Sequence, residues 1–245
     1  MSDRDLKKLS RRQALGLFGA AGAALSAGAC SGGTPTSPSA TTTATTTTTT
    51  TGTTTTPPST TTCAVTPSET AGPFPSIALP TRSDVREDRT GLLLLTLAIA
   101  VANTNAGCAP VTNASVEIWH CDARGDYSEY GTQTSATWLR GLQPVDATGK
   151  ATFITVYPGW YQGRATHIHV EVFVGGRTVK TTRIAFPEDV NNAVYATGVY
   201  AARGQNPQKN ATDMVFSDGV TSELATMSGS PTSGYNATFT VGVAI

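Results

Sequence analysis

The chain has 245 residues, with 17 basic and 17 acidic side chains and a net charge of zero. Setting aside the first 29 residues leaves 12 basic and 15 acidic groups, which gives no electrostatic footprint for nucleic acid. No basic amphipathic helix suggests adsorption to a membrane surface.

Taken in order, residues 1–30 read as an export signal. In LSRRQALGLFGAAGAALSAGAC, Arg11 and Arg12 precede an Ala/Gly-rich apolar run that stops at Cys30. The run is too short for an ordinary membrane span. SRRQALG resembles a twin-arginine signal, with Ala14 where Phe is usual. Ala27-Gly28-Ala29 satisfies the small-x-small rule of ordinary signal peptidase, and together with Cys30 it resembles a weak lipobox. Lipid anchorage at Cys30 and plain cleavage both stay open. The expected location is exported, either periplasmic or at the cell surface. Residues 31–62 are nearly all Thr with Ser, Pro, Gly and Ala, have almost no apolar payload, and are expected to form a disordered linker.

Residues 63–245 suit one domain, and the pattern is β-rich. GLLLLTLAIAVA, Gly91 to Ala102, is a continuous apolar run that fits a buried strand or a buried helix. Period-two alternation marks Ser115–His120, Ala151–Tyr157, Thr166–Val174 and Arg177–Phe186, and Tyr235–Ile245 closes the chain. Gly175-Gly176 separates two of these runs as a hairpin turn. A short helix is expected within Val190–Tyr200. Short strands joined by Gly/Pro/Asn loops predict an all-β fold, a β-sandwich with little helix. An exported setting permits disulfides. Cys108 and Cys121 flank a loop and a strand start and are the expected pair, three buried thiols being the alternative.

The chemistry centres on THIH. Residues two apart on a strand face the same side, so His167 and His169 point together with Ile168 opposite. Two adjacent imidazoles in a core either lack partners or repel each other, and a metal resolves that conflict. Nearby, YPGWYQGR supplies Tyr157, Trp160, Tyr161 and Arg164, and EIWHCDARGDYSEY supplies Tyr127 and Tyr130. Phenolate oxygen with imidazole nitrogen suits ferric iron, whereas zinc more commonly recruits Cys, His or carboxylates. His120 reads as a satisfied structural histidine and Trp119 as core. Asp122 and Asp126 lack calcium-loop spacing.

These blocks resemble the intradiol ring-cleavage dioxygenases, the family of catechol and protocatechuate dioxygenases. The resemblance rests on WHCDARGDY at Trp119–Tyr127, YPGWYQGRATHIH at Tyr157–His169 and SETAGPFP at Ser68–Pro75, and it runs over most of residues 63–245. It implies an Fe(III) site with Tyr127, Tyr161, His167 and His169 as metal ligands. Tyr161 then also acts catalytically by taking up a substrate proton, and Arg164 stabilises negative charge on the opening ring. The implied small-molecule partners are a catechol and O2, and the implied product is a muconate-type diacid. Three departures stand out: His120 replaces a common Gln, only five residues separate Tyr161 from His167, and the long helical N-terminal segment of dimeric members is not recognisable. The last leaves the oligomeric state open. The alternative from another class is an exported β-sandwich binding module for an aromatic or carbohydrate ligand, with a structural metal.

Overall fold

The computed structural model describes residues 63–245. The export signal of residues 1–30, with Cys30, and the Thr-rich linker of residues 31–62 lie outside the described residues. Nine strands follow in chain order: β1 (Leu94–Asn103), β2 (Ala109–Pro110), β3 (Ala114–Trp119), β4 (Arg140–Pro144), β5 (Lys150–Val156), β6 (His167–Val174), β7 (Arg177–Ala185), β8 (Thr226–Ser230) and β9 (Gly234–Val243). Among the described residues one α-helix, α1 (Glu188–Val194), overlaps the expected window of Val190–Tyr200, beginning two residues earlier, and is followed by a 3-10 turn at Gly198–Ala202. No described helix is long and apolar enough to cross a membrane.

The strands form two sheets, as an all-β sandwich requires. In the first, β1 pairs with β5 and β2 along one edge and runs parallel to β9 on the other, and β8 pairs with β9. The second has the order β4-β3-β6-β7, antiparallel throughout. The run at Gly91–Ala102 is therefore mostly strand. It is hydrogen-bonded to strands on both edges, and Leu95, Leu97, Ile99 and Val101 are buried while Thr96, Ala98 and Ala100 on the other face are half-buried. The core lies between the sheets. Leu95, Leu97, Ile99 and Phe153 of the first sheet pack with Val116, Ile118, Ile168, Val170 and Val172 of the second. Burying one such side chain contributes on the order of 2 kcal/mol. Strand β5 shows the alternation plainly: Lys150, Thr152 and Ile154 are exposed while Ala151 and Phe153 are buried.

Gly175 and Gly176 both adopt positive φ (59° and 74°), which lets a tight turn connect β6 to β7. A bulge at Val172/Phe173 then shifts the register, so that His169 lies opposite Arg183.

The segment before β1 is a strap rather than a strand of either sheet. Thr66 N–H donates to Gly242 O (3.0 Å), Glu69 N–H to Thr181 O (2.8 Å) and Val85 N–H to Ile154 O (3.0 Å). It thereby crosses from β9 over β7 to β5. The expected Cys108–Cys121 disulfide is corrected here: Cys63 bonds Cys108, tying the strap's start to the turn after β1, with Cα atoms 5.7 Å apart. That separation lies within the range a disulfide spans. Cys121 is a buried free thiol. It shares a face with Trp119 beyond the end of β3, in a separate cluster that Cys108 does not join.

Candidate metal centre

Strand β6 buries both faces. Ile168, Val170 and Val172 enter the core, and His167 and His169 project from the other face. His169 sits in a row across the sheet. Trp119 on β3 is its partner on one side and Arg183 on β7 its partner on the other. The Trp119 ring stacks on the imidazole, with centroids 4.7 Å apart and planes 3° from parallel. Arg183 donates from Nη2 to Thr70 O (3.0 Å), and its Nε lies 3.4 Å from His169 Nδ1. Trp119 is buried, as core reading expects, but it forms the floor of the site rather than part of the inter-sheet core.

His167 Nδ1 lies 2.6 Å from Ala165 O, a contact in which the ring nitrogen must donate. Its Nε2 then carries a lone pair, and that atom is 3.2 Å from His169 Nε2. Burial, reinforced by the Arg164 and Arg183 charges, drives His167 down to about 3. Burial, then His167 and Arg183, holds His169 well below its ordinary value. Both rings are neutral at physiological pH, the state in which imidazole ligates a metal.

The tyrosines arrive on two loops that touch backbone to backbone. Gly125, with φ +88°, lies against Trp160 O, and Gly159 lies against Asp122 O, each so close that a Cβ would collide. Gly159 N–H also donates to Asp122 O (3.1 Å). Those two glycines bring Tyr127 and Tyr161 to a centroid separation of 5.8 Å. Tyr161 is 5.7 Å from His167 and Tyr127 is 6.3 Å from His169, ring centre to ring centre. Tyr127 is 4% exposed, and its hydroxyl is buried without a hydrogen-bond partner. Burial raises both phenols above their ordinary value, Tyr127 the more strongly.

The other named residues fall outside this group. Tyr157 is fully buried in the core and donates to Asn191 Oδ1 (2.8 Å). Tyr130 donates to Pro75 O (2.7 Å), pinning the strap. His120 has both ring nitrogens engaged, with Cys121 O (2.8 Å) and Thr155 Oγ1 (2.7 Å), and is a satisfied structural histidine. Asp122 uses its carboxylate to cap the Arg124 and Asp126 amides.

Arg164 lies beside the tyrosine. Its Nε donates to Asp213 Oδ2 (2.8 Å), its Nη1 is 3.5 Å from Tyr161 Oη, and its Nη2 is buried without a partner. Asp213 also accepts from Ala165 N–H (2.6 Å) and Val215 N–H (2.9 Å). Burial raises this carboxyl, but the Ala165, Arg164 and Val215 donors outweigh it and leave it below the ordinary value. Sequence reasoning missed Asp213 and Arg183, which carry no motif. It quoted Gly72 and Phe74 only as parts of SETAGPFP. Phe74 stacks on Tyr127 at 4.6 Å, and Gly72, at φ +73°, leaves 3.0 Å between a would-be Cβ and His169 Cε1.

Two phenol rings and two neutral imidazoles therefore cluster together, with neighbouring ring centres 4.7–6.3 Å apart. The orphaned Tyr127 hydroxyl and the two facing Nε2 atoms are what such a set looks like when its members do not satisfy one another. They fit a hard, highly charged ion that accepts phenolate and imidazole together.

A protein-family model described as dioxygenase matches residues 80–210. Catechol 1,2-dioxygenase 2 of Acinetobacter lwoffii is 34% identical over 98 residues, which are 33% of this chain and 36% of that protein. The chain thus matches only about a third of that curated relative's length. Among solved structures, an intradiol ring-cleavage dioxygenase from Tetranychus urticae superposes with a TM-score of 0.66 at 24% identity, covering 74% of this chain and 95% of that one. The dioxygenase domain of a dioxygenase carbohydrate-binding protein fusion from Streptomyces sp. SirexAA-E gives a TM-score of 0.56 at 27% identity, covering 74% and 99%.

Proposed function

The chain belongs to the dioxygenase family, and on that premise we propose that it is an Fe(III)-dependent intradiol enzyme that opens a catechol ring between its two hydroxyl-bearing carbons. One observation carries the reading: His167 Nε2 and His169 Nε2 face each other at 3.2 Å beside two tyrosines, one with an orphaned buried hydroxyl. In this reading Tyr127, Tyr161, His167 and His169 hold the iron. Bound there, ferric iron would act as a Lewis acid toward a catecholate and bring it together with O2.

The chain's own residues supply the rest. The neutral histidines offer lone pairs without first losing a proton. Both tyrosines must give up theirs, and a cation is what makes that favourable in a buried place. Tyr161 is the less buried of the two and stands beside Arg164. It is the better placed to take a proton back from an incoming catechol hydroxyl. Arg164, fixed by Asp213, keeps Nη2 as a spare donor for negative charge on the opening ring. Overall, the carbon–carbon bond between the hydroxyl carbons breaks and both atoms of O2 enter the product. The product is a muconate-type diacid, and no external reductant is consumed.

The decisive experiment follows oxygen uptake on a panel of catechols with ¹⁸O₂, with product mass and iron content measured on the same sample. Two labelled oxygens in a diacid are expected. Cleavage beside one hydroxyl, or no uptake by stoichiometrically iron-loaded protein, overturns the reading. We further infer that residues 1–30 direct export and that residues 31–62 form a linker ahead of the catalytic domain of residues 63–245, a spacer if Cys30 is lipidated and a free tail if the signal is cut by ordinary signal peptidase. Detecting the chain in the cytoplasm with residues 1–30 intact would refute that.

A further inference from the structure

A second cluster of charged groups lies outside the four donors. Glu69 comes from the strap, Asp218 from the loop after the 3-10 turn Met214–Phe216, and Glu223 from the residue before Leu224, which bridges to Ala185 of β7. One carboxylate oxygen from each lies within 4.8 Å of the others. Glu223 is fully buried. One of its oxygens accepts from Thr182 Oγ1 (3.1 Å), and Oε2 is buried with no partner at all. A buried carboxylate oxygen left bare is costly, and such an atom points to a missing proton, water or ion.

The charges do not balance. Arg183 stands 3.5 Å from Glu69 through Nη1, an atom that makes no hydrogen bond. Three carboxylates meet one directly paired guanidinium, Arg183, and although the Arg164 charge also acts on Glu69, carboxylates remain in excess. Burial and the neighbouring carboxylates push Glu223 up to about 7, and burial raises Glu69 as well. Protonation relieves the cluster in acid, and a bound cation would relieve it in the ionised state.

We propose that Glu69, Asp218 and Glu223 form a calcium-type divalent-cation site distinct from the iron site. The donor atoms are all oxygen, which suits a hard cation and lacks the nitrogen or sulfur that zinc and copper favour. The three oxygens, all within 4.8 Å of one another, are close enough to share one calcium ion, whose ligands lie at about 2.3–2.6 Å from it. Magnesium demands near-ideal octahedral geometry and dehydrates reluctantly, which an irregular set of three carboxylates serves less well. The ion fastens the loop of residues 213–223 to the strap. Asp213, at the start of that loop, holds Arg164, so the cation steadies a side chain of the first site without touching it.

The test uses the purified full chain, freed of divalent ions on a chelating resin. Calcium is titrated by calorimetry and by thermal melting, with magnesium in parallel. One calcium per chain and a rise in Tm are expected, with magnesium at least ten-fold weaker. Asp218→Asn, an exposed change that does not disturb the core, should weaken calcium at least ten-fold, and so should Glu223→Gln. Tyr127→Phe should leave calcium binding unchanged, which separates this site from the iron reading. Absence of calcium binding, undiminished binding in Asp218→Asn, or magnesium binding as tightly as calcium each overturns the proposal.

Discussion

Replacing Tyr127 with Phe should move stability and iron binding in opposite directions. In the iron-free protein the Tyr127 hydroxyl is buried and unpartnered, and an unsatisfied buried hydroxyl costs about 1–3 kcal/mol. Phenylalanine removes that atom and keeps the ring, together with its 4.6 Å stack on Phe74. Iron-free Tyr127→Phe should therefore be more stable than the wild type by about 1–2 kcal/mol, or roughly 2–8 °C in Tm for a domain this size. Iron binding should suffer because the lost oxygen is one of four donors. The wild-type phenol is held protonated by burial until a cation displaces the proton. The two proteins are compared by urea denaturation after chelation, and by iron content and visible absorbance after reconstitution. A variant less stable than the wild type by 1 kcal/mol or more shows that the hydroxyl has a partner in solution, and the orphan argument falls. A variant that takes up one iron with wild-type affinity removes Tyr127 from the ligand set.

Gly72→Ala places a Cβ 3.0 Å from His169 Cε1 in a left-handed conformation. It should cost about 1–2 kcal/mol from the backbone alone and weaken iron retention, and wild-type denaturation and iron content would show that the strap does not set the imidazole. Asp213→Asn withdraws the charge that fixes Arg164 and should destabilise by about 1.5–3 kcal/mol. It should also lower turnover more than iron content, and equal losses in both would mean that Asp213 merely holds the fold. Glu117 is 3% exposed and lies opposite Glu171 in the sheet. Burial, partly offset by Ser76, lifts its carboxyl from 4.5 to about 7. A raised carboxyl stabilises the fold below the unfolded value and loses that contribution as pH rises through the folded one. Stability should therefore fall by roughly 2–3 kcal/mol between about pH 4.5 and 7. Glu117→Gln should flatten that slope in pH-dependent melts, and an unchanged slope assigns it to another group. Cys63→Ser opens a loop of 45 residues and should cost about 3–4 kcal/mol in denaturation. A loss below 1 kcal/mol would mean that the strap is held by its hydrogen bonds alone.

Local chemistry fixes much of this protein without any knowledge of its neighbours. Alternation predicts strands over Ser115–His120 and Thr166–Val174, and β3 (Ala114–Trp119) and β6 (His167–Val174) form there. The two-residue period alone puts His167 and His169 on one side and Ile168 on the other. The glycines of the two tyrosine blocks belong to the quoted motifs, and the structure shows that Gly125 and Gly159 are where the two loops touch. Three matters needed the assembled molecule. The disulfide partner of Cys108 is Cys63 because the strap returns to the turn after β1, a proximity no local pattern encodes. Arg183 faces His169 because of the Val172/Phe173 bulge. A tight turn at Gly175-Gly176 without that bulge would set Thr182 there instead. Asp213 meets Arg164 across 49 residues, carried there by a loop without periodicity. The sequence determines what each segment buries on its own, since that depends on spacing within the segment. Which side chains meet across segments depends on register and chain return, and only the packed structure decides those.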